Sequence, residues 1–287
     1  MGLKKALVAA SKLQLQNPTI HVISYDLKLS SSNVLEQLKN YDVVVDGTDN
    51  FETRYLLNDA CVLLGKPLVY GAIYRYEGQV AVWNIPNDDG TRSPNYRDLF
   101  PAVDALHVPN CAEGGVLPSL AGIIGCMQAN EVLKLITAQG EVLKGKVVIF
   151  DAQTLVSRVI SVGSVTKTVI TGLEKTEAVE GISVAALKHL ITNENVELID
   201  IRSVEERAGF HIGGKHIPLQ ELEKREDFFK EGKQYILYCA SGKRSQIAVK
   251  QLNQSLPQCR FSSLEGGLKA WKEQESIDRS AKESHEV

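Results

Sequence analysis

Residues 234–245 read QYILYCASGKRS. The run from Tyr235 to Tyr238 has no polar face, which is the pattern of a parallel strand covered by helices on both sides. Cys239 follows at the carboxyl end of that strand, and Ala240, Ser241, Gly242, Lys243 and Arg244 lead into a helix predicted from about Ser245. Ligands of open α/β sheets bind at this edge. A loop of small residues ahead of a helix turns several backbone N–H groups toward one point, where the helix dipole and two cations add positive potential. Such a cradle stabilises a thiolate or a persulfide, because a helix N-terminus with adjacent Lys or Arg lowers a thiol that otherwise ionises near about pH 8.5. Taken by itself, Cys239 also fits a buried packing thiol, since unpaired cysteine is among the most buried residue types.

Around this stretch the pattern is α/β. Helices are predicted at 182–191, 245–256 and 267–274, strands at 196–203 and 260–266, and a frayed, charged tail from Asp278, with 279–287 disordered. The polar stretch from Thr166 to Glu180 lacks periodicity and reads as the linker, 166–180, before a domain spanning 181–278. Upstream, residues 1–165 form another unit. A first helix is followed by a strand at Thr19–Leu27, a serine-capped helix at Ser31–Leu38 and a buried strand at Tyr41–Thr48. A helix at Phe51–Gly65, a strand at Lys66–Ile73 and a half-exposed antiparallel strand at Tyr76–Ile85 come next. Beyond a loop at 86–109, a buried helix at Val116–Ile136 precedes strands at 146–152 and 157–164. The expected fold class is α/β: an incomplete Rossmann-like doubly wound sheet, then a smaller α/β domain.

The bulk numbers exclude several classes. With 32 Lys plus Arg against 35 Asp plus Glu, the net charge is −3, and no basic block points to nucleic acid. The apolar stretch Val116–Ile136 contains Gln128, Asn130, Glu131 and Lys134, which a hydrocarbon core would not accommodate. The opening MGLKKALVAASKLQLQNP lacks the apolar core and cleavage site of a secretory signal, so a cytoplasmic location is expected. The five cysteines, Cys61, Cys111, Cys126, Cys239 and Cys259, are scattered and never spaced C-x-x-C, which suggests neither a disulfide framework nor zinc. Cys61, Cys126 and Cys259 read as packing residues.

The set LIDIRSVEER, HIGGKHIPL, YCASGKRS and LEGGLKAW, in that order, resembles the rhodanese-like sulfurtransferases over about a third of the chain. The resemblance implies that Cys239 is the nucleophile, that Asp200 and Arg202 brace the active loop, and that Gly266 and Gly267 make the turn before the last helix. Phosphatase relatives of this fold also place Cys and Arg around an anion, with a loop one residue longer than the four residues between Cys239 and Arg244. The tighter loop suits sulfur better than a phosphate ester.

The first unit resembles the ThiF/MoeB/HesA family, bacterial relatives of ubiquitin-activating enzymes, through VVVDGTDNFETRYLLNDAC, PLVYGAIYRYEGQV and NCAEGGVLPSLAGIIGCMQANEVLK. These enzymes use ATP and Mg2+ to adenylate the C-terminal glycine of a ubiquitin-like sulfur carrier protein. By resemblance, Asp49 is the magnesium-binding aspartate, with Asn50 beside it at the nucleotide, and Lys5 contacts the triphosphate. Either Asp49 or Asn50 also suits a helix N-cap. Cys111 falls where some relatives bond covalently to the carrier. The implied protein is an adenylyltransferase and sulfurtransferase of molybdopterin or thiamine biosynthesis, with a cysteine desulfurase or thiosulfate as sulfur donor.

Two departures qualify that reading. No G-x-G-x-x-G loop precedes the first helix, so the chain reads as N-terminally truncated and its adenylation is expected to be impaired. The sheet edge and helix faces exposed in that way favour association, and a homodimer is expected. Where many relatives carry a zinc-binding C-x-x-C, this chain has Asn95, Tyr96, Arg97 and Asp98, and no second pair follows Asp151, so no zinc is expected. A noncatalytic carrier-binding module with only rhodanese activity is the alternative, the missing glycine loop favouring it and the intact Cys239 loop opposing it.

Overall fold

The computed structural model describes residues 3–101, 115–174 and 180–283, and the chain divides into two compact units between residues 176 and 177. In the first unit five strands pair in sequence order. β1 (Val44–Asp46) lies parallel to β2 (Leu68–Tyr74), while β3 (Glu77–Trp83), β4 (Lys146–Asp151) and β5 (Val156–Ser161) follow antiparallel. Side chains alternate across a strand, so β3 divides its core residues between two faces. Ala81 and Trp83 pack with Leu57, Ala60 and Cys61 of helix α3 (Phe51–Leu63). Val80, on the opposite face, meets Leu120 and Ile124 of a long helix, Pro118–Thr137. Helices therefore cover both faces of a mixed α/β sheet.

Several local expectations change. Thr19–Leu27 is not a strand, although it alternates; Ile23 and Tyr25 are about half exposed. A strand needs a ladder partner, and β1 pairs only with β2 among the described residues. Helix α1 (Lys5–Gln16) buries no residue, and α2 (Val34–Leu38) starts three residues later than the serines suggest. There the Asn33 side chain accepts from the Ser30 N–H at 2.9 Å, forming a turn that postpones the helix. β3 is largely buried rather than half exposed, because it sits between β2 and β4. The loop at 86–109 contains a short helix, α4 (Tyr96–Leu99).

The helix Pro118–Thr137, here α5, is not buried all round. Leu120, Ile124, Gln128 and Glu131 form its buried stripe, while Leu133 and Ile136 are 58% and 71% exposed. No described helix is long and apolar enough to cross a membrane. The stretch from Thr166 is not a free linker: Thr166, Lys167 and Thr168 all donate to Asp98, and Leu173 packs on the α3 side of the core. Its polar residues are structural donors, which is why periodicity missed them.

The second unit is a parallel sheet in the order β6-β10-β9-β7-β8. The strands are β6 (Gly181–Ile182), β7 (Val196–Asp200), β8 (Lys215–His216), β9 (Gln234–Tyr238) and β10 (Arg260–Leu264). Helices α6 (Val184–Leu190) and α9 (Gly267–Glu283) cover one face, packing Leu187 and Leu268 on Ile236 and Tyr238. Helix α8 (Lys243–Ser255) covers the other, where Ala248, Val249 and Leu252 meet Tyr235 and Leu237. Short α7 (Val204–Gly209) follows β7. Helix α9 continues through Glu283, so the frayed tail does not begin at Asp278, which pairs with Lys188 of α6 at 2.5 Å.

Two candidate active sites

β9 is the central strand of its sheet, and Cys239, fully buried, follows its last residue. The Cys239 Sγ accepts the Gly242 N–H at 3.2 Å and lies 3.7 Å from the Ser245 hydroxyl. Gly242 takes φ +84°, a left-handed conformation that turns its N–H back onto the sulfur and caps α8. Ser245 is itself buried and shares a 2.8 Å hydrogen bond with Ser263 of β10. The carbonyls of Cys239 and Ala240 accept from the Leu268 and Lys269 N–H groups at the start of α9. A Cβ on Gly267 would lie 2.3 Å from the Cys239 oxygen, so only glycine allows this approach. The loop 239–244 is thus clamped between two helix starts.

Asp200 and Arg202 form a buried bidentate pair, with contacts of 2.9 and 2.6 Å. Burial acts to raise the Asp200 carboxyl, but hydrogen bonds from Arg202 outweigh it and hold the group below its ordinary value. Arg202 also donates to the carbonyls of Glu206 and Phe210, so this pair shapes the β7–α7 turn. The residue that reaches the active loop is Glu206, whose carboxylate accepts from Arg244 at 2.9 and 2.7 Å. The Arg244 contact holds Glu206 below its ordinary value. Sequence reasoning passed over Glu206, Ser245 and Ser263. Ser203-x-x-Glu206, a capping box present in the structure, was the available signal for the first.

The second candidate site follows β1. Asp49 is exposed, and Asn50 caps α3, its side chain accepting the Thr53 N–H at 2.8 Å. These two residues are adjacent, with 3.5 Å between the Asn50 amide and the Asp49 carboxylate. Lys5 lies on the exposed α1 and makes no hydrogen bond or ion pair with either. Beneath Asp49 lies a polar knot. Fully buried Asp46 accepts the Arg54 Nε at 3.1 Å and the Thr48 N–H and hydroxyl at 2.8 and 2.7 Å. Arg54 also donates to the Thr48 carbonyl at 2.9 Å and lies over the Tyr70 ring. The knot fixes the turn that presents Asp49. No group of three or more potential metal ligands forms among the described residues.

Asn95 caps α4 (Tyr96–Leu99), forming a complete capping box with Asp98. Asp98 accepts the Asn95 N–H at 2.8 Å and the Thr166 hydroxyl at 2.7 Å. It also accepts the Lys167 N–H at 2.8 Å and the Thr168 N–H and hydroxyl, each at 2.9 Å. With its oxygens so occupied and no group of three or more metal ligands among the described residues, this donor set does not fit a structural zinc. Among the cysteines, Cys111 lies outside the described residues. Cys61 and Cys259 are buried, and burial pushes both thiols up, Cys61 to about 12. Cys126 is exposed, not packed, because it points away from the buried stripe of α5. A cleft beside it, lined by Val80, Ile123, Met127 and Leu143, holds no residue of either site.

Residues 1–169 match the ThiF family, and residues 183–274 match the rhodanese-like domain. The probable adenylyltransferase/sulfurtransferase MoeZ of Mycobacterium tuberculosis is 35% identical over 301 residues, covering 97% of this chain and 76% of that protein. The sulfur carrier protein adenylyltransferase of Thermus thermophilus is 50% identical over 153 residues, 53% of this chain and 56% of that protein. Adenylyltransferase and sulfurtransferase MOCS3 of Drosophila grimshawi is 34% identical, covering 95% and 68%. In fold, 60% of this chain is similar to 52% of Escherichia coli MccB, solved with AMPCPP and MccA, at a TM-score of 0.50 and 16% identity. This chain belongs to the ThiF family and carries a rhodanese-like domain behind its ThiF domain.

Proposed function

We propose that this chain is an adenylyltransferase and sulfurtransferase that activates the C-terminal glycine of a ubiquitin-like sulfur carrier and delivers sulfur to it through Cys239. The observation that carries this reading is the Cys239 sulfur, set at the end of a central parallel strand and met by the Gly242 N–H, in a chain whose other domain is ThiF. The names of relatives that match nearly the whole chain support the pairing of the two activities.

In the first step the carrier carboxylate attacks the α-phosphorus of ATP, pyrophosphate leaves, and an acyl-adenylate forms. Asp49 would hold magnesium through one hard oxygen, the phosphates and water supplying the rest. Asn50 and Lys5 complete the proposed nucleotide contacts. In the second domain the Cys239 thiolate takes a sulfur atom from a donor and becomes a persulfide. Its terminal sulfur attacks the acyl-adenylate carbonyl and AMP leaves. A thiol then attacks the Cys239 sulfur of the resulting acyl disulfide, the thiocarboxylate leaves, and the disulfide left on Cys239 is reduced by a further external thiol; Cys111 falls where some relatives bond covalently to the carrier. The product is a thiocarboxylated carrier of molybdopterin or thiamine biosynthesis in the cytoplasm.

Two further points belong to this proposal. The chain works without structural zinc, a reading supported by Asn95–Asp98, which stand where the family resemblance implies a zinc-binding C-x-x-C. It forms a homodimer, a reading supported by the exposed apolar residues of α5. The sulfurtransferase half is tested by thiocyanate formation from cyanide with thiosulfate or a persulfide donor. Cys239→Ala is expected to abolish turnover and Cys111→Ala to preserve it. Turnover surviving in Cys239→Ala would refute the assignment.

A further inference from the structure

The loop around Cys239 carries two cations, yet the pairing of one of them bears on which sulfur donor it accepts. Arg244 stands in the first turn of α8, and its guanidinium meets the Glu206 carboxylate in a fork with contacts of 2.9 and 2.7 Å. The side chains are 22% and 35% exposed, so water screens this pair only in part. Glu206 is held in place by its own helix: Ser203 and Glu206 form a reciprocal capping box. The neighbouring guanidinium groups are also engaged. Arg202 and Arg207 both donate to Asp200, at 2.6 and 3.3 Å. Among the described residues the donors at the sulfur itself are neutral, the Gly242 N–H and the Ser245 hydroxyl.

We propose that Glu206 sets the donor specificity of the Cys239 loop, cancelling the charge of Arg244 so that the loop takes sulfur from a singly charged persulfide in preference to the thiosulfate dianion. This rests on the sulfurtransferase reading of the same loop. With a persulfide, the Cys239 thiolate attacks the outer sulfur, the S–S bond of the donor breaks, and the donor thiolate leaves with the bonding pair. With thiosulfate the same attack expels sulfite, a dianion. Both routes move one sulfur atom and need no added oxidant or reductant. They differ in the charge that the loop must hold through the transition state. Two neutral donors, a neutralised arginine and the single charge of Lys243 suit a charge of one better than a charge of two, since Coulomb energy scales with the product of the charges.

The test uses the full chain with 2-hydroxyethyl persulfide, whose one charge is on the persulfide, and with sodium thiosulfate, reading kcat/KM and the mass of the Cys239-containing peptide. Glu206→Gln removes the negative charge but keeps a side chain able to complete the capping box. It is expected to raise the thiosulfate-to-persulfide ratio of kcat/KM by about tenfold, through a lower thiosulfate KM, with the gain shrinking at high salt. Because the gain depends on Arg244, the double variant E206Q/R244Q should lose it. Arg244→Gln alone leaves Glu206 unopposed and should lower the same ratio, which gives an answer even where E206Q folds poorly. A ratio indifferent to both single variants, or a gain that survives in the double variant, would overturn the proposal. Failure of both donors to place sulfur on Cys239 would sink the sulfurtransferase reading itself.

Discussion

The loops after β9 and after β1 begin alike. In each, a parallel strand ends, a few residues turn, and a helix of 13 residues starts. After β9 the turn residues are Ala, Ser and Gly, whose short side chains leave the Gly242 N–H to reach the Cys239 sulfur. After β1 they are Gly, Thr, Asp and Asn, and the side chains satisfy the turn themselves. Asp46 ties down Thr48 and Arg54, while Asn50 caps its own helix. The same strand-turn-helix geometry therefore makes a cradle in one unit and a pedestal in the other. What decides is whether side chains or ligands receive the N–H groups at the helix start.

If the pedestal serves to present Asp49, then Asp49→Ala should lower carrier-dependent pyrophosphate exchange into ATP by on the order of a hundredfold, as the loss of one preorganised electrostatic contact does. Sulfur loading of Cys239 in the same variant should match the parent chain, because the cradle belongs to a separate unit. Equal loss of both activities would mean that the two loops do not work independently.

A smaller effect is expected at Asp98. Removing a carboxylate that receives donors from Asn95, Thr166, Lys167 and Thr168 should destabilise the first unit by about 2–3 kcal/mol, read as a lower Tm. Burial acts to raise this carboxyl, but the hydrogen bonds outweigh it and hold the group below its ordinary value. A depressed folded-state pKa contributes stability above the unfolded value and loses it as pH falls through the folded value. The parent chain should therefore lose more Tm than Asp98→Ala on acidification below about pH 4. Identical acid sensitivity in the two would remove Asp98 from that account. The smallest effect of all is expected from a chelator: EDTA should leave the Tm unchanged and metal analysis should find no stoichiometric zinc. One tightly held zinc per chain would contradict the reading of the Asp98 node.

The second unit was the more legible in sequence because β9 is covered on both faces, and its apolar run admits one reading. Helix α3 and strand β2 were legible for a similar reason. Thr19–Leu27 was not: alternation marks a strand only where a neighbouring strand supplies hydrogen bonds, and periodicity carries no information about neighbours. The apolar composition of α5 concealed that a single stripe, Leu120, Ile124, Gln128 and Glu131, is buried. At the sites, Cys239 and Gly242 were readable from one continuous stretch. Glu206 and Ser263 reach that stretch from 38 and 18 residues away in sequence, and such contacts depend on strand order.

The contrast in exposure between Cys239 and Cys126 has a practical side. Cys239 is buried beneath its loop, whereas Cys126 stands on the surface of α5. Thiol reagents select by access as well as by ionisation. A bulky maleimide would therefore tag Cys126 before Cys239. Blocking Cys126, or replacing it with serine, would make Cys239 easier to follow by labelling, and would keep stray disulfide-linked dimers out of any measurement of assembly.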